Sequence, residues 1–338
     1  MQLANFWETN TLTERNMKKA IFLLLVLVTC FSNANAIDNN TVEIKFSGSS
    51  ATVSIANNIK NYVTNNSSGS HVKLVQSENF SGNSTGEITY ILSGSSSDGE
   101  FYLEGSYKCT VEMHGLTLTN PYGPAVNIQN GKRIKISAKS ETINTLTDGA
   151  NEDYNGCLHC KGHAEFKGKG TLNIIGNSRH GIYSKEYIEF KNMTLNISAA
   201  VKDGIHCKEY FLMENGNITI SGVQDDGIQV ELSGTTSTGQ TAAHEEEDSG
   251  NFYMEDGKLS IDVFEGIGEH VKADGNIIYG GGTRDFTYTS SIGDLLYDAS
   301  AEGRVSVWNL QGRPVSTNSA DGIVIIRSNG KVSKHMVR

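Results

Sequence analysis

Asp203-Gly204-Ile205 and Asp226-Gly227-Ile228 repeat one phrase, and the residues standing just before a series of comparable glycines are Asn155, His180, Asp203, Asp226 and Glu265. If a fold stacks these positions, Asp203 and Asp226 lie about 5 Å apart, and two bare carboxylates there repel by roughly 3 kcal/mol at an effective dielectric of 20. Solvation, protonation of one acid or a bound cation relieves that repulsion. Calcium suits the position because it accepts many oxygen ligands in irregular geometry, and Asp225 and loop carbonyls stand beside the pair. The expected metal set is Asp203, Asp225, Asp226 and Glu265. The competing reading is a plain Asp-Gly turn between strands, with Asp favoured for its side-chain to backbone hydrogen bonds. His180 interrupts the acidic series, so a metal site would be local and not a continuous column.

A second set follows the glycines: His159 and Lys161, Tyr183 and Lys185, His206 and Lys208, then Gln229 and Glu231. Stacked at about 4.8 Å, these form outward ladders. Lysines can meet uronate carboxylates and Tyr183 can lie against a sugar ring, so His159, Lys161, Tyr183, Lys185, His206, Lys208 and Gln229 are the expected carbohydrate-binding residues. The alternative is a solvated face with Lys185-Glu186 and Lys208-Glu209 as ordinary charge pairs. Cys157-Leu158-His159-Cys160-Lys161-Gly162-His163 supplies zinc-ligand types. Strand alternation sends Cys160 inward and His159 outward, which argues against one tetrahedron. Glu245-Glu246-Glu247-Asp248 reads as a solvated loop with some capacity to recruit calcium.

The elements that must position these residues follow from the repeat. Gly181, Gly204 and Gly227 recur every 23 residues, and such a period signals a repeat architecture. Within each unit apolar residues alternate with polar ones, as at Ile188 and Phe190, Leu195 and Ile197, Phe211 and Met213, and Ile218 and Ile220. That is the period of strands, about three per unit. Three strands per coil closing on a common core make a parallel β-helix. Gly123 and Gly156 extend the series upstream, past a loop expected over 139–155. Gly266 extends it downstream, past a Ser/Thr/Gly-rich and acidic insertion at 233–250, for about six coils.

The chain has 338 residues, 36 Gly and only 3 Pro, and lacks helical periodicity; it is all-β. Met17-Lys18-Lys19, the apolar run from Ala20 to Val28 and Ala34-Asn35-Ala36 read as a secretory signal peptide. The run is too short for a transmembrane span, and the residues before Met17 fit a misplaced start codon. A lipoprotein with Cys30 acylated fits less well, because Thr29 occupies a position where Gly, Ala or Ser is usual. A net charge of −10 argues against nucleic acid, whereas divalent cations can bridge an acidic protein to an acidic polysaccharide. Export permits disulfides among Cys109, Cys157, Cys160 and Cys207. The repeat puts Cys160, Ser184, Cys207 and Val230 in one inward column, so Cys160 and Cys207 stand roughly 9.6 Å apart, too far to bridge. Residues 37–106 read as an N-terminal cap and first coils, 107–290 as the β-helix, and 291–338 as a separate β unit with a turn at Ser328-Asn329-Gly330.

Thr89-Tyr90-Ile91-Leu92-Ser93-Gly94, Asn144-Thr145-Leu146-Thr147-Asp148-Gly149 and the Asp-Gly-Ile phrases resemble exported carbohydrate-binding β-helix proteins related in shape to pectate lyases. The resemblance covers about residues 41–285. It implies a right-handed parallel β-helix that binds calcium and an acidic plant polysaccharide such as polygalacturonate. VSVWNLQGRPV and GIVIIRSNGKVSKHMV are similar to C-terminal sorting segments of type IX secretion, which implies an extracellular or outer-membrane surface location. A lyase on uronates needs a cation for the substrate carboxylate and a base for the neighbouring proton, for which Arg179, Lys185 and Lys208 are candidates by type. No constellation singles one of them out, so a repeated ladder favours a binding protein over a polysaccharide lyase. A surface adhesin or structural stalk is the third class.

Overall fold

The computed structural model describes residues 37–82, 86–150, 153–234 and 247–289, together with the strands Val305–Asn309, Gly322–Ser328 and Lys331–Val337. The stretch read as a signal peptide, the body of the acidic insertion at 235–246 and residues 290–304 lie outside the described residues.

Alternating residues become strands whose apolar members face a common interior. Ile188, Phe190, Leu195, Ile197, Phe211, Met213, Ile218 and Ile220 are each at most 1% exposed. Every turn from Val126 onward contributes three strands, such as His180–Ser184, Ile188–Phe190 and Thr194–Ala199, and each pairs in parallel with its counterparts one turn away. The result is a parallel β-solenoid of three faces. One face is a nine-stranded sheet; the other two merge into a 16-stranded sheet. They merge because Ile88–Ser96 and Cys109–Asn120 run unbroken across both faces, with register shifts at Gly94 and Gly115, both at positive φ. Asn144 stands in an inward column at this kink and is fully buried. Its Oδ1 accepts from the Gly115 and Leu116 amides, both at 2.9 Å, so the bend leaves no orphaned donor there.

There are about eight turns, not six. The first two, built on His71–Gln76 with Ile88–Ser96 and on Glu100–Gly105 with Cys109–Asn120, fall outside the 23-residue glycine series, although Asp98-Gly99 stands just before Glu100. Much of the loop expected over 139–155 is also strand: Ile143–Asp148 pairs with Thr171–Ile175, leaving 149–155 as the connection. The N-terminal end is capped. Thr41–Ser47 lies parallel along Ile88–Ser96 and antiparallel to Ser50–Ile55, while Val63–Asn65 closes the edge of His71–Gln76. Val305–Asn309, Gly322–Ser328 and Lys331–Val337 form a three-stranded antiparallel sheet, as expected for a small C-terminal β unit.

The cysteine column holds as read. Cys160 pairs with Ser184 and Cys207 with Val230 across turns, and all four described cysteines are free and buried. Burial raises every one of these thiols, Cys160 to about 12. They pack as small core residues.

Candidate carbohydrate and metal site

The outer face of the nine-stranded sheet gathers most of the chemistry-bearing residues. His159, Tyr183, His206 and Gln229 occupy one cross-strand column, as the repeat implies. The column continues to Asn127 and Tyr102 on one side and to Lys272 on the other.

The ladder is more closed than its sequence suggests. Tyr183 has ring centroids on both sides, His159 at 5.2 Å and His206 at 5.4 Å, both stacked. His159 and Tyr183 are only 9% exposed and His206 6%. Both faces of Tyr183 are therefore occupied by neighbouring turns, which leaves no ring face open for the expected flat packing on a sugar. Burial lowers the His159 pKa to about 4, so this imidazole is neutral. Lys161 and Lys185 are exposed beside the column, whereas Lys208 is half-buried and pairs with Glu231 at 3.5 Å. Gln229 Nε2 donates to Glu231 at 3.3 Å.

The sequential charge pairs do not form. Glu186 turns instead to His163 Nε2 at 2.8 Å and Glu209 to the same nitrogen at 3.5 Å. Of the set expected for calcium, Asp203, Asp225 and Asp226 come together, each offering a carboxylate oxygen within 4.8 Å of the others. Glu265 does not join them. The residue in register after Asp226 is Glu269, because Ile228 pairs with Val271, and Glu265 sits in an exposed turn with Gly266 at φ 73°. The bare-turn reading is part of the same geometry: Asp203 Oδ1 accepts from the Asp226 amide at 3.1 Å and Asp226 Oδ1 from the Glu269 amide at 2.8 Å.

The repulsion between the two acids is relieved by polar and charged groups of the chain itself. Lys272 Nζ donates to Asp226 Oδ2 at 2.9 Å. His180 Nδ1 and His206 Nδ1 approach Asp203 Oδ2 at 3.1 Å and 2.9 Å. Burial opposes the charge on Asp203, but the two imidazoles outweigh it and hold the carboxyl well below the usual range. The approach of two histidines to this carboxylate is not among the sequence expectations. The signal was present in His180 at the Asp position of the phrase and His206 three residues after Asp203.

A cleft of about 380 Å³ opens on the same side, lined both by the stretch read as cap and first coils and by the start of the β-helix with the loop expected over 139–155. Tyr102, Tyr122 and Tyr154 line it together with His71, Lys73 and Glu100. Tyr122 is 78% exposed at its rim, and its amide is held by Asn120 Oδ1 at 3.1 Å. Lys73 Nζ lies 4.5 Å from the Tyr102 ring centroid and 3.7 Å from Glu104. His71 meets Asp98 at 3.1 Å and Glu100 at 3.7 Å. Asn120-Pro121-Tyr122-Gly123-Pro124 carries two of the three prolines of the chain around that tyrosine, the rigid turn chemistry that could have marked the site. Exposed aromatic rings beside paired polar groups are what a pyranose needs: apolar C–H surface against a ring, hydroxyls against hydrogen-bonding side chains.

The solenoid is similar to that of a polysaccharide lyase-like protein from C. thermocellum, solved as a gadolinium derivative. The TM-score is 0.52 at 18% identity, over 74% of this chain and 96% of that one. At that identity the likeness is one of fold. No curated protein matches the chain. A family profile described as carbohydrate-binding domain-containing protein matches residues 77–331, which takes in the three tyrosines of the cleft, the stacked column from Tyr102 to Lys272 and the aspartate cluster. With three-quarters of its length inside that profile, this chain belongs to the family of carbohydrate-binding domain-containing proteins.

Proposed function

We propose that the protein is exported and binds an acidic polysaccharide of the polygalacturonate kind along the outer face of the nine-stranded sheet. Calcium would bridge uronate carboxylates to Asp203, Asp225 and Asp226. The observation that carries the reading is the convergence of three carboxylates from adjacent turns on the face that also bears the tyrosine cleft. Their donor set, all oxygen, suits a hard divalent cation. Lys272 already neutralises Asp226, but its side chain is 47% exposed and free to swing away when a cation arrives. The net charge of −10 makes direct attraction of a polyanion unfavourable, which is why a bridging ion belongs to the proposal.

The test is affinity electrophoresis of residues 37–338 through gels containing polygalacturonate, with calcium and again with chelator. Retardation in calcium that disappears with chelator, and with Asp225→Asn plus Asp226→Asn, supports the reading. Equal migration with and without calcium overturns the bridging role. Growth of ultraviolet absorbance from unsaturated uronates in the same mixtures would move the protein from binder to lyase.

A further inference from the structure

His180, Asp203 and His206 form a group distinct in chemistry from the three aspartates. His180 opens the strand His180–Ser184, and His206 lies on Ile205–Lys208 in the next turn, so adjacent turns each present one imidazole to the same carboxylate. The three residues are 6%, 1% and 6% exposed. Their ligand atoms are His180 Nδ1, Asp203 Oδ2 and His206 Nδ1, with nitrogen–oxygen separations of 3.1 Å and 2.9 Å. Adjacent ligands around an ion with bonds of 2.0–2.1 Å stand about 3 Å apart, so this is the spacing of a coordination shell.

Two further observations point to a ligand. His180 Nδ1 is buried and, despite its nearness to Asp203, is out of hydrogen-bonding alignment and has no hydrogen-bond partner. His206 has a second carboxylate on its other nitrogen, with Glu231 3.4 Å from Nε2. Without a metal, Nδ1 donates its proton to Asp203; with a metal at that point the ring proton would sit on Nε2, where Glu231 can accept it, as outer carboxylates do for metal-bound histidines. Two imidazole nitrogens and a carboxylate oxygen converge on one point, where a divalent cation can replace the proton between His206 and Asp203 and give His180 Nδ1 the partner it lacks.

We infer that His180, Asp203 and His206 bind a divalent first-row transition metal, with zinc as the natural occupant, as a clip between two neighbouring turns. Two imidazole nitrogens and one carboxylate oxygen suit zinc or cobalt and are a poor set for calcium. The remaining coordination position falls to water. Asp203 divides its oxygens: Oδ2 faces the imidazoles, while Oδ1 accepts the Asp226 amide on the side of the three aspartates. The inference shares only Asp203 with the calcium proposal and stands apart from it because two of its three ligands are imidazole nitrogens and its readout is metal binding, not glycan retention.

The test uses residues 37–338, stripped with chelator and exchanged into metal-free buffer near pH 7.5. Cobalt is titrated while visible absorption is followed, and zinc affinity is measured by competition with a chromophoric chelator. The expected result is one equivalent bound, with the intense d–d bands of a low-coordinate cobalt site and a thermal midpoint that rises with zinc. His180→Asp and His206→Gln install residues the repeat itself uses at those rungs, so the metal-free variants should keep the parent's circular dichroism. Each should weaken zinc at least tenfold, as loss of one nitrogen ligand does, and abolish the cobalt bands. Asp225→Asn should leave zinc affinity unchanged. Zinc affinity equal in parent and His variants, or a cobalt spectrum no different from the aqua ion, would reduce the group to a hydrogen-bonded bridge and overturn the inference.

Discussion

His163 shows how one side chain can hold two turns together. Burial alone would lower its pKa, but Glu186 and Glu209 outweigh burial and raise it to about 9. The ring also stacks on Tyr187 at 4.2 Å, and Tyr187 on Tyr210 at 4.7 Å. A histidine raised on folding stabilises fully below its unfolded value of about 6.5, and that contribution disappears as pH rises through about 9. His163→Gln should therefore cost about 2 kcal/mol at pH 6 and much less at pH 9.5, read as the gap between urea midpoints. A constant gap across that range would show that the ring matters for packing and not for charge. His159 carries the opposite sign. It is lowered to about 4 by burial, so the unfolded chain binds a proton first and stability falls as pH drops from 6.5 to 4. His159→Phe keeps the stack between Tyr154 and Tyr183 and should spare the protein up to about 3 kcal/mol of that acid loss. Parallel acid-unfolding curves for parent and variant would contradict this.

At the scale of the element, the glycines preceding each outer strand are there for closeness of approach. Gly204 has an ordinary backbone conformation, yet a Cβ on it would stand 2.6 Å from Ile220 Cγ2 and 2.7 Å from the Gly227 carbonyl oxygen. Gly181 meets the Gly204 carbonyl in the same way, at 2.7 Å. The turns can nest at strand spacing only if nothing projects from these positions. Gly204→Ala should lower stability by about 1–3 kcal/mol through overpacking. Gly131, whose added Cβ would meet nothing within 4 Å, is the control, and its replacement by Ala should be neutral or slightly stabilising. Equal denaturation midpoints for the two variants would refute the close-approach account.

For the whole molecule, a solenoid must end somewhere, and its first turn offers Ile88, Tyr90 and Leu92, all fully buried beneath the cap. The strand Thr41–Ser47 covers Ile88–Ser96 along most of its length. Deletion of residues 37–69 would expose both that apolar layer and an unpaired parallel edge, the template for edge-to-edge association. Size-exclusion chromatography should show oligomers or aggregate for the truncated chain; a well-behaved monomer would mean that the cap is dispensable.

The sequence by itself determined the three-strand coil, the inward columns and the juxtaposition of Asp203 with Asp226, because each depends on alternation within a strand and a fixed period between strands. Tertiary structure decided the rest. Turns outside the 23-residue glycine series pair as well as those within it, since backbone hydrogen bonding ignores side-chain identity, and so two turns at the N-terminal end escaped the repeat. Register beyond the acidic insertion depends on how many residues the turn after Phe264 consumes, so Glu269 and not Glu265 follows Asp226. Whether a ladder residue is open or closed depends on the ring one turn away, and so Tyr183 is stacked shut while Tyr122, lifted on a proline-flanked turn, is open. Period and alternation are local and can be read along the chain; the partner that covers a ring or completes a carboxylate comes from a neighbouring turn, and only folding brings it there.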